Sequence, residues 1–360
     1  MKTKGMECLL DDIFLRFTYH LYVSHKIKYR QFNELWELDF SEIPSPIQQI
    51  LMSRDTDQFV QEEKKKALSQ GIQIIPQNDN RYPQTLIPFK GMPPTLYVKG
   101  DMKIDFENLH GIAMVGSRKA STYGKKHAYR FASELAAFGF TIVSGMAYGI
   151  DSECHQGALS QNNNTVAVVG TGVDLCYPKS HTTLRNRIHQ HGLVLSEFPI
   201  GTPPRPYHFP ARNRIISGIS DFVIIIEAAL KSGAMITADL AIEQGKEVFA
   251  LPGSVDIVTC QGTNELLKQG IRVFTQVEDI TSLSNLQGSK PLVQTRVENL
   301  KPVEISVLKE LQTEDLDFSS LIERLEISSS DLMKSLTMLE IKGLIRKDKN
   351  VYCLYQSSLF

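Results

Sequence analysis

The sequence predicts an α/β protein: a Rossmann-like, doubly wound, mainly parallel sheet flanked by an N-terminal helical domain and a C-terminal winged helix. Three observations carry this. Between residues 111 and about 280, short runs rich in Val, Ile and Phe alternate with helical stretches. Such alternation implies a mainly parallel sheet covered on both faces. Ahead of it, residues 1–70 are amphipathic at irregular helical spacing, as in "LLDDIFLRFTYHLYV". Behind it, residues 301–360 carry three helix-spaced apolar stripes and then a hairpin pattern, the winged-helix arrangement related to helix-turn-helix.

Residues 1–70 hold ten Lys/Arg against eleven Asp/Glu, so they read as a small packed helical domain, with a weak nucleic-acid-contacting helical module as the alternative, and not as a basic tail. Residues 72–100 break short apolar pieces with prolines, in "IQIIPQNDNRYPQTL" and "GMPPTLYVKG", and read as a connector with short extended segments. This connector opens the α/β domain, 71–282. Strands are expected at 112–115, 140–143, 165–169, 193–195, 222–226, 247–250 and 271–274, with helices at 122–138, 235–245 and 263–269. Residues 283–300, "LSNLQGSKPLVQTRVENL", are polar without a period and are expected to be a linker. In the winged-helix domain, 301–360, Ile305, Leu308 and Leu311 share one helical face. Phe318, Leu321, Ile322 and Leu325 make a second, and Leu332, Leu336 and Leu339 a third. "KGLIRKDKNVYCLY" then reads as two strands around a Lys-Asp-Lys-Asn turn.

The net charge of −1 announces no polyanion ligand, so any such site must come from local segregation of charge. The five cysteines, Cys8, Cys154, Cys176, Cys260 and Cys353, form no CxxC pair. They fit a reducing cytoplasm and argue against structural zinc. The stretch "MKTKGMECLLDD" has no long apolar core, so neither a secretory signal nor a membrane span is expected.

In an open α/β sheet, ligands bind beyond the carboxyl ends of the strands. The residues following each strand are "GSRKAST", "SGMAYGID", "GTGVDLCYPKS", "SEFPIGTPPRPYHFPARNR", "EAALKSGAMITA" and "LPGSVD". Nearly every exit joins Gly to Ser or Thr. Glycine lets backbone approach a ligand closely, and hydroxyls with helix N-terminal amides suit phosphate oxygens. Residues 112–130 carry five Lys/Arg and no acid, and residues 175–220 carry six against Glu197 alone. Arg118, Arg212 and Arg214 sit where few acids are available to pair with them. Aromatics interleave with the cations at Tyr177, Tyr207 and Phe209, the combination that single-stranded nucleic acid needs.

Other chemistries fit less well. The second strand ends Val143-Ser144-Gly145, without the acid that a dinucleotide's ribose needs, and no GxxxxGK[ST] appears. No cofactor is therefore expected. Asp151 reads as a helix cap, Asp174 as a loop brace, and Glu227 as a brace for Arg212 or Arg214. His181, His189, His191 and His208 lack a metal-binding pattern, so no metal is expected.

"MVGSRKASTYG", "SGMAYGID", "GTGVDLCYPKS", "SEFPIG", "HFPARNRIISG", "SGAMITA", "VFALPGS" and "QGTNELLKQG", in this order, resemble the DNA-processing protein A (DprA/Smf) family over about residues 70–275. The resemblance implies a Rossmann-like core that binds single-stranded DNA, usually as a homodimer. It implies protection of incoming strands in natural transformation and help in loading the RecA recombinase, without catalysis. It places the DNA face at Gly116, Ser117, Arg118 and Ser121, at the Lys179 loop, and at Arg212, Asn213 and Arg214. With the other strand exits, the expected contact set adds Ser144, Gly145, Gly170, Arg205, Phe209 and Thr237. Two positions depart from the family pattern: His181 stands where Asn is usual, and Arg205 lies farther from the aromatic than the usual basic residue. Two rival readings are a nucleotide phosphoribohydrolase-like enzyme on the same fold and a transcription factor built on the winged helix. "EAALKSGAMITA" lacks the PGGxGTxxE loop of the first, and eight Lys/Arg against ten Asp/Glu in 301–360 disfavour the second.

Overall fold

Valine, isoleucine and alanine fill the central strands because helices cover both faces of the sheet. In the computed structural model, residues 12–35, 38, 42–101, 105–161, 165–283, 300–341, 344–348 and 351–354 are described. The chain divides into two compact units, Met1–Gln287 and Gly288–Phe360. The expected linker falls almost wholly on residues 284–299, outside the described residues.

The first unit begins with helices α1 (Ile13–Tyr22), α2 (Tyr29–Leu35), α3 (Ser45–Leu51) and α4 (Arg54–Gln70). Strands β1 (Gln73–Pro76) and β2 (Thr95–Gly100) follow. Then come β3 (Gly111–Gly116), α5 (Thr122–Ala137), β4 (Thr141–Ser144), α6 (Ile150–Ser160), β5 (Thr165–Val168), α7 (Thr182–His191) and β6 (Leu193–Ser196). The unit continues with α8 (His208–Gly218), β7 (Phe222–Glu227), α9 (Gly233–Glu243), β8 (Glu247–Ala250), α10 (Gln261–Lys268), β9 (Arg272–Val273) and α11 (Glu278–Thr281).

The sheet order is β1-β2-β6-β5-β4-β3-β7-β8-β9. From β6 to β9 every pairing is parallel. The chain winds outward from β3 through β4, β5 and β6, then crosses to the other side of β3 with β7. The switch point of the sheet therefore lies between β3 and β7, where such folds open a crevice. Where a connector is expected over 72–100, β1 and β2 extend the sheet antiparallel to β6. Pro76 closes β1 and Pro94 precedes β2, so the prolines bound these strands without interrupting their ladders.

Alternate strand residues face opposite layers. Ala113, Val115, Val143 and Val168 pack with Ile215, Ile216, Ala238 and Ala241 of α8 and α9. Ile112, Met114, Ile142 and Ile224 pack with Phe131, Leu135 and Ala158 of α5 and α6. Farther along that second face, Ala167, Val194 and Tyr97 meet Leu184 and Ile188 of α7, together with Leu15 of α1 and Val60 and Ala67 of α4. The N-terminal helices thus share a core with the sheet besides their own cluster of Phe14, Phe17, Phe32 and Leu51. No helix among the described residues is long and apolar enough to cross a membrane.

The second unit holds α12 (Pro302–Thr313), β10 (Leu316–Asp317), α13 (Phe318–Leu325), α14 (Ser329–Ile341), β11 (Ile345–Asp348) and β12 (Val351–Leu354). The expected hairpin forms between β11 and β12, while its turn residues 349–350 lie outside the described residues. An unanticipated short strand, β10, pairs with β12. Leu308, Leu311, Leu321, Leu332, Leu336 and Leu339 form the core as their spacing predicts. On α12, Val307 is buried there and Ile305 is only partly so.

Two consequences can be measured. Gly157 of α6 sits where a Cβ would lie 3.0 Å from the Ala132 Cβ and 3.1 Å from the Ser133 nitrogen, against the backbone of α5. Gly157→Ala gains about 1 kcal/mol of helix propensity but overpacks an unyielding contact, which costs about 1–3 kcal/mol. The expected net is a loss of stability, read as a lower urea midpoint. His155 donates from Nδ1 to the Thr165 hydroxyl at 2.7 Å, and burial pushes its pKa down to about 3. Its folded pKa lies below the unfolded value, so its contribution is full above pH 6.5 and is lost as pH falls toward 3. Acid unfolding of His155→Gln should therefore show a shallower slope across this window, by about 1.4 kcal/mol per pH unit at most.

Candidate nucleic-acid interface

The site begins at the switch point. At Gly116 a Cβ would lie 2.6 Å from the Ile150 Cγ1 and 2.8 Å from the Glu227 carbonyl, so the last residue of β3 has no room for a side chain. The register shifts at Val115/Gly116, and the Ser117 amide donates to the Glu227 carbonyl at 2.6 Å. The Glu227 side chain then turns under α5. Its carboxylate accepts the Ser121 amide at 3.0 Å and the Ser121 hydroxyl at 2.7 Å, and it also accepts the Thr259 hydroxyl. Ser121 caps α5 by accepting the Gly124 amide at 3.0 Å. The acid at this helix start, where negative charge is favoured, is thus the protein's own. The expectation that Glu227 braces Arg212 or Arg214 is corrected: its partners are Ser121 and Thr259.

The two arginines of α8 go separate ways. Arg214 forms a bidentate pair with Glu197 at 2.6 and 2.7 Å and donates to the Gly91 carbonyl at 2.8 Å. Glu197 is buried, and the Tyr22 hydroxyl of α1 also donates to it. The expectation that Arg214 lacks an acidic partner is therefore corrected. Arg212 is buried against Gly145, donates to the Val168 carbonyl, and faces Asp151. Burial pushes its pKa down to about 10, with Asp151 opposing the shift. Burial likewise raises the Asp151 carboxyl, opposed first by Arg212.

Other expected contact residues are also built into the framework. Ser144 donates to the Met114 carbonyl at 2.6 Å, Asn213 to the Gly233 carbonyl at 3.1 Å, and Thr237 to the same carbonyl at 3.2 Å. All three are buried. The Gly170 carbonyl accepts from His208, whose ring stacks on Phe198 at 3.9 Å. Asp174 braces its loop as expected, accepting the Gly201 amide at 2.9 Å. Asp151 lies in the first turn of α6 and accepts the Ala147 amide at 3.4 Å. The N-terminal helices grip the same region: Glu63 accepts the Ile200 amide at 2.7 Å, and Tyr22 meets Phe198 edge-on at 5.3 Å.

What faces outward is a shorter set. The exposed Arg118 guanidinium lies 5.0 Å from the centre of the Phe209 ring, and Tyr177 lies beside that ring at 5.4 Å. Lys179 is exposed in the turn that follows Tyr177, and Arg205 donates to the Tyr207 hydroxyl at 2.7 Å. Among the described residues, no acid lies within ion-pairing distance of Arg118, Lys179 or Arg205. One further exposed ring, Tyr148, stands at the exit of β4 and escapes the sequence reading. Its signal was an aromatic residue inside the glycine turn "SGMAYGID". Among the described residues, no group of three or more His, Cys, Asp or Glu is placed to hold a metal ion.

The mainly parallel sheet covered by helices on both faces, with exposed cations and aromatic rings at its carboxyl edge, places the protein in the Rossmann-like α/β class. The chain belongs to the DNA recombination-mediator protein A family, whose profile matches residues 73–285. It is 43% identical to Protein Smf of Escherichia coli over 217 residues, which is 59% of this chain and 56% of that protein. The X-ray structure of DNA processing protein A from Streptococcus pneumoniae superposes with a TM-score of 0.59 at 34% identity, covering 71% of this chain and 90% of that one. The Helicobacter pylori DNA processing protein A, described for its single-stranded DNA binding mode, superposes with a TM-score of 0.54 at 33% identity. That match covers 59% of this chain and 94% of the other.

Glu197→Ala would leave Arg214 largely buried without its acid. Breaking one half of such a pair costs about 3–5 kcal/mol. The expected loss is at the low end of that range, because Arg214 keeps 15% of its side chain exposed. Chemical denaturation would read it.

Proposed function

We propose that this protein binds single-stranded DNA along the carboxyl edge of its sheet, without sequence preference, and acts in DNA processing during natural transformation and homologous recombination. The observation that carries this is Arg118 over the Phe209 ring with Tyr177 alongside. Lys179 and the Arg205–Tyr207 pair continue the strip. Cations track the phosphates and rings stack on bases of any identity. On this reading Gly116, Gly145 and Gly170 bring backbone close to the strand. Ser117, its amide held by the Glu227 carbonyl, shapes the edge from beneath together with Ser121, Ser144, Arg212, Asn213, Arg214 and Thr237. That the Helicobacter pylori relative is described as binding single-stranded DNA supports the choice of ligand.

The family's description as a recombination mediator supports a further step. The protein would shield incoming strands and help load the RecA recombinase, acting as a cytoplasmic homodimer and without catalysis. Residues 1–70 are proposed as a helical domain and 301–360 as a winged helix. Three helices and a three-stranded sheet support the latter, and its excess of acids gives it an accessory role.

Arg118→Ala combined with Lys179→Ala should weaken binding of labelled oligothymidylate at moderate salt. The slope of log affinity against log salt should become shallower by about 1.4, at 0.7 per phosphate contact on a single strand. Anisotropy titrations at several salt concentrations, with duplex DNA in parallel, provide the check. Unchanged affinity and slope would sink the assignment.

A further inference from the structure

Tyr148 is half exposed, yet it is not loose. Its hydroxyl pairs with the Ser180 hydroxyl at 2.9 Å, and its ring meets His181 edge-on at 5.0 Å and 75°. His181 is itself anchored, donating from Nδ1 to the Met146 carbonyl at 3.1 Å. On the other side, Gly149 (φ +77°) lies against the backbone of Ser117 and Arg118, and the Ile150 amide donates to the Ser117 carbonyl at 3.2 Å. The turn carrying Tyr148 is therefore wedged between the turn that presents Arg118 and the turn that presents Lys179.

An exposed hydrogen bond and one edge-on contact contribute little to stability, because water competes for the same groups. What they do is hold a flat apolar ring still while it faces solvent. A ring ordered in advance loses little freedom when a ligand covers it. Tyrosine suits this, with large contact area and few rotatable bonds.

We infer that Tyr148 is a base-stacking residue, holding the nucleobase of a nucleotide that lies between the phosphates at Arg118 and Lys179. The inference rests on the single-strand reading above and extends it with a specific contact. A strand whose backbone is held by both cations must pass the turn between them. His181 supplies the edge that fixes the ring.

The test separates ring from hydroxyl and base from backbone. Tyr148→Ala should weaken oligothymidylate binding by about 5- to 150-fold, the span of one lost stack. Tyr148→Phe keeps the ring and its His181 contact and loses only the Ser180 bond, so it should lose far less than Tyr148→Ala. An abasic strand of equal length should bind the parent and Tyr148→Ala alike. The chain has one tryptophan, Trp36, so Tyr148→Trp in a Trp36→Phe background gives a local reporter. Its emission should be quenched by oligothymidylate and not by the abasic strand.

Equal losses in Tyr148→Phe and Tyr148→Ala would overturn the inference and assign the residue to bracing the Lys179 turn. So would an abasic strand as sensitive to Tyr148→Ala as the normal one. If the parent binds single strands through Arg118 and Lys179 while Tyr148→Ala changes nothing, the stacking inference alone fails. If the parent binds no single-stranded DNA, the functional reading fails with it.

Discussion

The carboxylate of Glu227 ties the end of β7 to the start of α5, and the position of Arg118 depends on that tie. Glu227 leaves the sheet beside β3 at the switch point, its carbonyl takes the Ser117 amide, and its side chain takes both the amide and the hydroxyl of Ser121. The four-residue turn from Ser117 to Ala120 is thereby fixed at both ends by one residue on another strand. Thr259 adds the loop before α10 to the same carboxylate. In many folds of this class the corresponding helix start receives a ligand's phosphate. Here an internal acid satisfies it, and the side chains left for a ligand are those standing outside this knot.

The parallel part of the sheet was legible because its strands, apart from the exposed edge strand β9, are buried on both sides and read as continuous apolar runs. The expected strand at 112–115 forms as Gly111–Gly116, and the helix expected at 122–138 ends at Ala137. β1 and β2 were not legible as sheet. They pair antiparallel at an edge, and their prolines carry the same local signal as a connector. The Rossmann-like class survives this addition, since the added strands lie outside β6 and leave the switch point untouched.

The candidate site was legible as a region and less so as individual contacts. Strand exits rich in Gly, Ser and Arg do converge on one edge. Which side chains face outward depends on rotation about α8 and on partners far away in sequence. Arg212 and Arg214 are two positions apart, about 200° around the helix, so one turns under Gly145 and the other toward Glu197. Ser144, Asn213 and Thr237 are polar residues that a local reading offers to a ligand, while the fold spends them on neighbouring carbonyls. Tyr148 was hidden for the opposite reason: its neighbours Ser180 and His181 arrive from another loop.

The buried acids also set how far the edge can be felt. Glu197, Glu227 and Asp151 lie beneath the strip, and the whole chain carries a net charge of −1. Two of these acids are already matched by Arg214 and Arg212, so the charge of Arg118, Lys179 and Arg205 stays local, and physiological salt damps its reach within about 8 Å. Long-range attraction of a polyanion would therefore contribute little to encounter. On the single-strand reading proposed above, capture would be a matter of near contact, where exposed rings add to charge. A flexible strand with accessible bases meets that condition, whereas a duplex keeps its bases stacked inside and offers the edge only its phosphates.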